Sequence, residues 1–112
     1  MSHDKSVTVT FDPTATPQFG ISDRAIAMKG EGKITWVRNP ENAKWIFKSV
    51  NLLPSDWEQS VSDKGAKITV HDPHKTTGDH IYTLTVELDG KEYTSPAHRV
   101  AFDDPPIIKN EV

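Results

Sequence analysis

The feature that most constrains the fold is a strict alternation of side chains from residue 81 to residue 88, followed at once by an Asp-Gly pair. The even-numbered positions are aromatic or aliphatic, and three of the four odd-numbered positions are polar. A period of two is the side-chain period of a β-strand with one buried face. Asp89 and Gly90 suit a two-residue type I′ turn, because both of its central positions need a positive φ. The stretch therefore predicts a β-hairpin, in which residues 91–95 return antiparallel.

The rest of the chain predicts further short strands separated by Gly, Pro, Asn and Asp. These strands are expected at residues 6–11, 24–29, 33–38, 45–50, 66–71 and 99–102. Residues 14–21 and 52–65 break the alternation and are expected to be irregular, and residues 107–109 either pair at an edge or lie free. No segment of helix length has an apolar period of 3.6. Seven or eight short strands with such turns predict an all-β sandwich or a small barrel.

The predicted core consists of the apolar side chains that share one face of each strand. We expect it to contain Val7, Val9, Ile26, Met28, Ile34, Trp36, Phe47, Ile68, Val70, Tyr82, Leu84, Val86 and Val100. Leu84 lies in the middle of the most regular strand, so its replacement by alanine should lower the free energy of unfolding by about 2–5 kcal/mol.

Composition limits the class of protein. A chain of 112 residues fits one domain, residues 1–112. It has no Cys, which excludes disulfides and thiolate chemistry. The net charge of −3 disfavours binding to nucleic acid, which calls for a basic face. The N-terminus lacks the apolar segment of a signal peptide, and no apolar run approaches the length of a membrane span. We therefore expect a soluble, cytoplasmic protein without membrane contact.

Trp36 and the run of residues 78–86 resemble immunoglobulin and fibronectin type III domains. In such domains a Trp packs between two sheets, and a Tyr two residues before a core position starts the penultimate strand and bonds to upstream backbone. Tyr82 and Leu84 have that spacing. The resemblance implies an immunoglobulin-like antiparallel β-sandwich of about seven to eight strands. The chain departs from the pattern because it has no Cys at the disulfide positions and its Asp precedes Tyr82 by three residues rather than four.

Two Asp-Pro segments carry a second resemblance. Asp12-Pro13 near the start and Asp104-Pro105-Pro106 near the end are similar to the motifs of a small family of uncharacterised bacterial proteins named for Asp-Pro and Glu-Pro. This resemblance implies no activity.

Three histidines are the candidate metal ligands. His71 and His74 flank a turn, and His80 ends the same polar loop. Imidazoles and a neighbouring carboxylate suit zinc or nickel. The competing interpretation is an ordinary polar loop, since the spacing matches no specific metal motif. We assign no cofactor.

Aromatic and acidic residues give the remaining candidates. Trp45 and Trp57 are candidate binding residues, because a flat aromatic face can stack on a sugar ring. Trp45 is also compatible with packing in a strand, and Trp57 with a lid over the core. The pairs Asp103 with Asp104 and Asp72 with Asp79 are interpreted as solvated turn residues rather than as catalytic or calcium-binding carboxylates.

The sequence predicts a protein that is not an enzyme. It lacks a Gly-x-Ser-x-Gly elbow and a dinucleotide-binding fingerprint. The first functional hypothesis is a protein-interaction module that pairs with another protein, or with a second copy, through a sheet edge. Residues 45–47 and the pair Ile107 and Ile108 are the expected apolar contacts. The alternative is a small-ligand or metal-binding domain that uses the loop from His71 to His80.

Overall fold

The computed structural model describes residues 3–15, 17–96 and 105–111, and this part of the chain is all-β. Its strands are β1 (Lys5–Phe11), β2 (Phe19–Ile21), β3 (Ala25–Met28), β4 (Gly32–Arg38), β5 (Ile46–Asn51), β6 (Gln59–Ser62), β7 (Lys67–Asp72), β8 (Gly78–Ile81), β9 (Thr83–Leu88), β10 (Lys91–Thr94) and β11 (Ile107–Asn110). A single 3₁₀ turn, Asp63–Gly65, connects β6 to β7. No helix long and apolar enough to cross a membrane occurs in the described residues.

The largest sheet has five strands in the order β2-β1-β4-β7-β6. β1 runs parallel to β4, and the other neighbouring strands of this sheet are antiparallel. Along β1, β4 and β7 the apolar side chains point inward, and hydroxylated side chains face outward. The outward Ser6, Thr35, Thr69 and Ser60 form one row across four strands, because they are directly paired in the register.

The other two sheets have three strands each, in the orders β10-β9-β5 and β3-β11-β8. Tyr82 alone separates β8 from β9. The Tyr82 N–H donates to the Pro106 carbonyl at 3.2 Å, and the Leu84 N–H donates to Ser95 Oγ at 2.7 Å. Backbone groups two residues apart on an extended strand point to the same side. β10 and β11 therefore lie on the same side of one extended stretch, and the two small sheets continue into each other across Tyr82.

One hydrophobic cluster joins these strands except β6 and β8, whose residues are not part of it. Every predicted core residue within the described part of the chain is buried, and Val100 lies outside it. At the centre, the Trp36 indole Nε1–H donates to the Tyr82 hydroxyl at 3.0 Å, and the two rings lie 5.1 Å apart in a T-shaped arrangement. This side-chain partner differs from the upstream backbone partner that the resemblance implied for Tyr82.

The predicted hairpin is confirmed. β9 and β10 are antiparallel, with Leu88 opposite Lys91. Asp89 and Gly90 have φ values of 54° and 79°, so both central residues of the turn are left-handed as a type I′ turn requires. The local alternation and the local turn residues thus specified this part of the fold.

Three expectations about the remaining chain were wrong. The fold is not purely antiparallel, since β1–β4 and β3–β11 are parallel pairs. The two segments expected to be irregular contain β2 and β6, which are short edge strands held by their neighbours. The C-terminal segment is neither free nor at an edge, because β11 lies between β3 and β8 with Ile108 fully buried. The strand expected at residues 99–102 lies outside the described residues.

Candidate functional site

The three candidate metal-ligating histidines have three different partners. His71 Nε2 lies 3.1 Å from the Glu31 carboxylate, and His74 Nε2 lies 2.9 Å from a main-chain carbonyl at the end of β3. The His80 ring packs on the Trp57 ring, with 5.0 Å between the centroids. The structure therefore does not bring the imidazoles together as the predicted metal site requires. Nowhere in the described ranges do three His, Cys, Asp or Glu side chains form a group that could hold a metal ion.

The two candidate binding tryptophans are packing residues. Trp45 is 4% exposed and contacts the Phe47 ring edge-on, with centroids 5.0 Å apart. Trp57 is 3% exposed and covers the core beneath the loop between β5 and β6, as the lid interpretation predicted. Neither indole presents a face on which a ligand could stack. In this structure both side chains contribute to packing within the fold.

The apolar residues expected to contact a partner are mostly inside the fold. Phe47 and Ile108 are fully buried, and Ile46 and Ile107 are half-buried. β11 cannot accept a further strand, because it already pairs on both sides. Pairing with a partner through β11 is therefore excluded, whereas β5 lies at the edge of its sheet.

The Asp-Pro turn after β1 has a structural role. The Thr14 hydroxyl and the Thr14 N–H both donate to Asp12 Oδ1, at 2.7 and 2.9 Å. The side-chain bond and then the backbone bond to Thr14 lower the pKa of Asp12 below its ordinary value. Asp12 thus organises the turn, as expected for an Asp at the start of a tight turn.

One member of the acidic pair Asp72 and Asp79 differs from the expectation. Asp79 is exposed, but Asp72 is fully buried rather than solvated. It ends β7 and accepts bonds from the backbone N–H of His74 and from the side chain of Asn110. Asp103 and Asp104 lie outside the described residues.

The edge strand β6 is open to a partner on the side away from β7. All four of its side chains are exposed, and Val61 is 47% exposed. The His71 N–H donates to the Glu58 carbonyl at 2.8 Å, which fixes the hydrogen-bonded positions of the β6–β7 ladder. In an antiparallel ladder the intervening residues point their backbone groups the other way. The N–H and C=O groups of Gln59 and Val61 therefore face away from β7.

The nearby edge of β5 is already occupied by a side chain. The Gln59 amide Nε2–H donates to the Val50 carbonyl at 2.6 Å, and its Oε1 accepts from the Val50 N–H at 3.1 Å. This primary amide takes the place of a neighbouring strand and satisfies the backbone of β5 there. Since unpaired edges promote unwanted pairing, the bond protects β5 while leaving the outer side of β6 open.

A shallow polar cavity of about 150 Å³ borders β6 on the outer face of the five-stranded sheet. It is lined by Lys33, Glu58, Gln59, Ser60, Thr69 and His71. A side chain on a strand paired with β6 would lie beside Ser60, because cross-strand neighbours on one face are about 5 Å apart. The cavity can therefore receive a polar side chain of a partner through hydrogen bonds.

Sequence reasoning missed this site because β6 carries no apolar alternation. The feature of the sequence that is compatible with a strand here is the short Gln-Ser-Val-Ser run between charged residues, which contains no Pro or Gly. Comparison of the chain with protein-family models gave no match, and comparison with curated proteins gave none either.

Proposed function

We propose that the chain forms an immunoglobulin-like sandwich. The order of strand pairing supports this assignment: β4, β7 and β6 correspond to strands B, E and D, and β5, β9 and β10 correspond to C, F and G. The parallel strands β1 and β3 depart from that arrangement, as does the position of Trp36 on β4 rather than on strand C.

We further propose that the domain is a non-enzymatic protein-interaction module whose β6 edge pairs with an extended strand of another protein or of a second copy. The observation that carries the proposal is the orientation of Gln59 and Val61, whose backbone groups face away from β7 on a fully exposed strand. Strand addition at an edge draws its affinity from such main-chain groups and its specificity from side-chain pockets.

Two of the other sheet edges, β2 and β10, suit this role less well. β2 has only three residues, and β10 begins with the charged pair Lys91 and Glu92, which protects an edge against pairing. β6 has neither a charge nor a proline. It is therefore longer than the β2 edge and less protected than the β10 edge.

The size of the edge predicts a weak interaction. Two N–H and two C=O groups allow four main-chain bonds at about 0.5–1.5 kcal/mol each, so about 2–6 kcal/mol in total. The weak end of that range corresponds to a dissociation constant of roughly tens of millimolar, and the strong end to roughly tens of micromolar. An apolar partner side chain opposite Val61 would add to this by covering it.

The test uses Val61→Pro, which removes an outward N–H without touching a bond to β7. Val61→Thr is the matched control, because it keeps the N–H and a β-branched side chain. Sedimentation of each variant measures self-pairing, and selection of short random peptides on the immobilised domain measures pairing with another chain. We expect association or peptide enrichment for the wild type and the Thr variant, and neither for the Pro variant. A monomeric wild type that enriches no peptide would refute the proposal, as would equal binding by the Pro variant.

A further inference from the structure

A buried polar pair lies at the opposite end of β7 from the 3₁₀ turn. Asp72 is 0% exposed and Asn110, at the end of β11, is 2% exposed. Asn110 Nδ2–H donates to Asp72 Oδ1 at 3.2 Å and to the Thr76 carbonyl at 2.9 Å. The His74 N–H also donates to Asp72 Oδ1, at 2.8 Å. The pair thus connects the last described strand to the loop between β7 and β8.

Two oxygens of this pair have no hydrogen-bond donor, namely Asp72 Oδ2 and Asn110 Oδ1. The orientation of the Asn110 amide is fixed by its surroundings. Its Nδ2 faces two acceptors, and a flipped amide would place an oxygen against the Asp72 carboxylate and the Thr76 carbonyl. Both donor-less oxygens therefore belong to side chains that cannot turn to find another partner.

The charge of Asp72 is also unbalanced within the described residues. The ion pairs of Lys67 with Asp63 and of His71 with Glu31 do not include Asp72. The His74 ring is directed to the Met28 carbonyl, 2.9 Å from its Nε2. A buried carboxylate without a positive partner is strongly unfavourable, and buried carboxyl groups in proteins are paired, coordinate a metal ion or are protonated.

We propose that Asp72 Oδ2 and Asn110 Oδ1 are ligands of a monovalent alkali cation. Carboxylate and amide oxygens are hard donors, which favour alkali and alkaline-earth ions over zinc or copper. The site offers one negative charge, so a monovalent ion makes it neutral, whereas a divalent ion would leave a buried positive charge. Bound there, the cation also stabilises the loop of residues 73–77, because Asp72 and Asn110 hold that loop at His74 and Thr76.

The test measures the melting temperature in sodium, potassium and choline chloride at one ionic strength of about 0.15 M. Choline is a much larger cation than sodium or potassium and serves as the non-binding reference. We expect at least one alkali cation to raise the melting temperature by roughly 5 °C over choline, with saturation at higher concentration. Asp72→Asn should lose this response. His74→Asn is the matched control and should keep it, since Asn tolerates the left-handed φ of 57° at that position.

A second measurement does not depend on any variant. Crystals of the wild-type protein soaked in rubidium chloride should give an anomalous peak between Asp72 and Asn110. Equal melting temperatures in all three salts together with no such peak would overturn the proposal and leave a buried water as the partner of the two oxygens. A response to calcium or magnesium but not to sodium or potassium would overturn the assignment of a monovalent ion.

Discussion

The hydrogen bond between Trp36 and Tyr82 at the centre of the core gives the sharpest stability prediction. In Tyr82→Phe the ring keeps its place, but the Trp36 N–H loses its acceptor in a fully buried position. An unsatisfied buried donor costs about 1–3 kcal/mol. We expect the free energy of unfolding to fall by that amount. Urea denaturation followed by Trp fluorescence measures it, and the urea dependence should stay unchanged.

The same variant tests the ionisation of Tyr82. Burial raises the pKa of Tyr82 far above its ordinary value of about 10, in spite of the bond from Trp36, which lowers it. The unfolded chain therefore loses this proton first as the pH rises. The stabilisation by Tyr82 is complete below pH ~10 and declines above it by about 1.4 kcal/mol per pH unit. We expect the stability advantage of the wild type over Tyr82→Phe to shrink above that pH.

A double-mutant cycle separates the hydrogen bond from ring packing. Trp36→Phe and Tyr82→Phe should interact by about 1 kcal/mol or more when combined, because each removes one partner of the same bond. Two results would refute the reasoning about the core. One is a fall of less than about 0.5 kcal/mol in the free energy of unfolding of Tyr82→Phe, and the other is a stability advantage of the wild type that stays the same from neutral to alkaline pH.

Two further substitutions test the region around β5 and β6. Gly65→Ala should lower the free energy of unfolding by well over ~1 kcal/mol in urea denaturation, because Gly65 has a φ of 94° and an added Cβ would overlap the Ile46 side chain. Gly90→Ala is the control and should cost about 1 kcal/mol, since Gly90 has a φ of 79° but an added Cβ would meet nothing within 4 Å. Equal effects of the two substitutions would contradict the steric argument. Gln59→Ala should speed amide hydrogen exchange at Val50, because the Gln59 side chain accepts a hydrogen bond from the Val50 N–H. An unchanged exchange rate would mean that this bond does not protect β5.

The parts of the fold that the sequence predicted are those that local chemistry decides. The β9–β10 hairpin follows from alternation along one strand and from Asp89 and Gly90, all within a few residues of each other. The core positions follow from the same alternation. In contrast, β6 is a strand only because β7 pairs with it, and β11 only because β3 and β8 do. Each of these two strands has only four residues, which is too short for side-chain alternation to predict a strand.

The candidate site was harder to predict, because its contacts join residues that are distant in sequence or depend on the direction in which a side chain points. His71 and His74 are close in the chain, but strand alternation and the left-handed backbone of His74 turn their rings to different partners. The burial of Asp72 depends on Asn110, which is 38 residues away. Gln59 resembles any polar loop residue until its amide is placed against β5.

The proposed function requires β6 to accept a strand through the backbone of Gln59 and Val61. Amide hydrogen exchange, followed by NMR on the free domain and on its complex with a selected peptide or a second copy, tests it most directly. We expect fast exchange at Gln59 and Val61 in the free domain and strong slowing at these two amides in the complex. Slowing confined to another edge such as β10, with Gln59 and Val61 still exchanging freely, would contradict it.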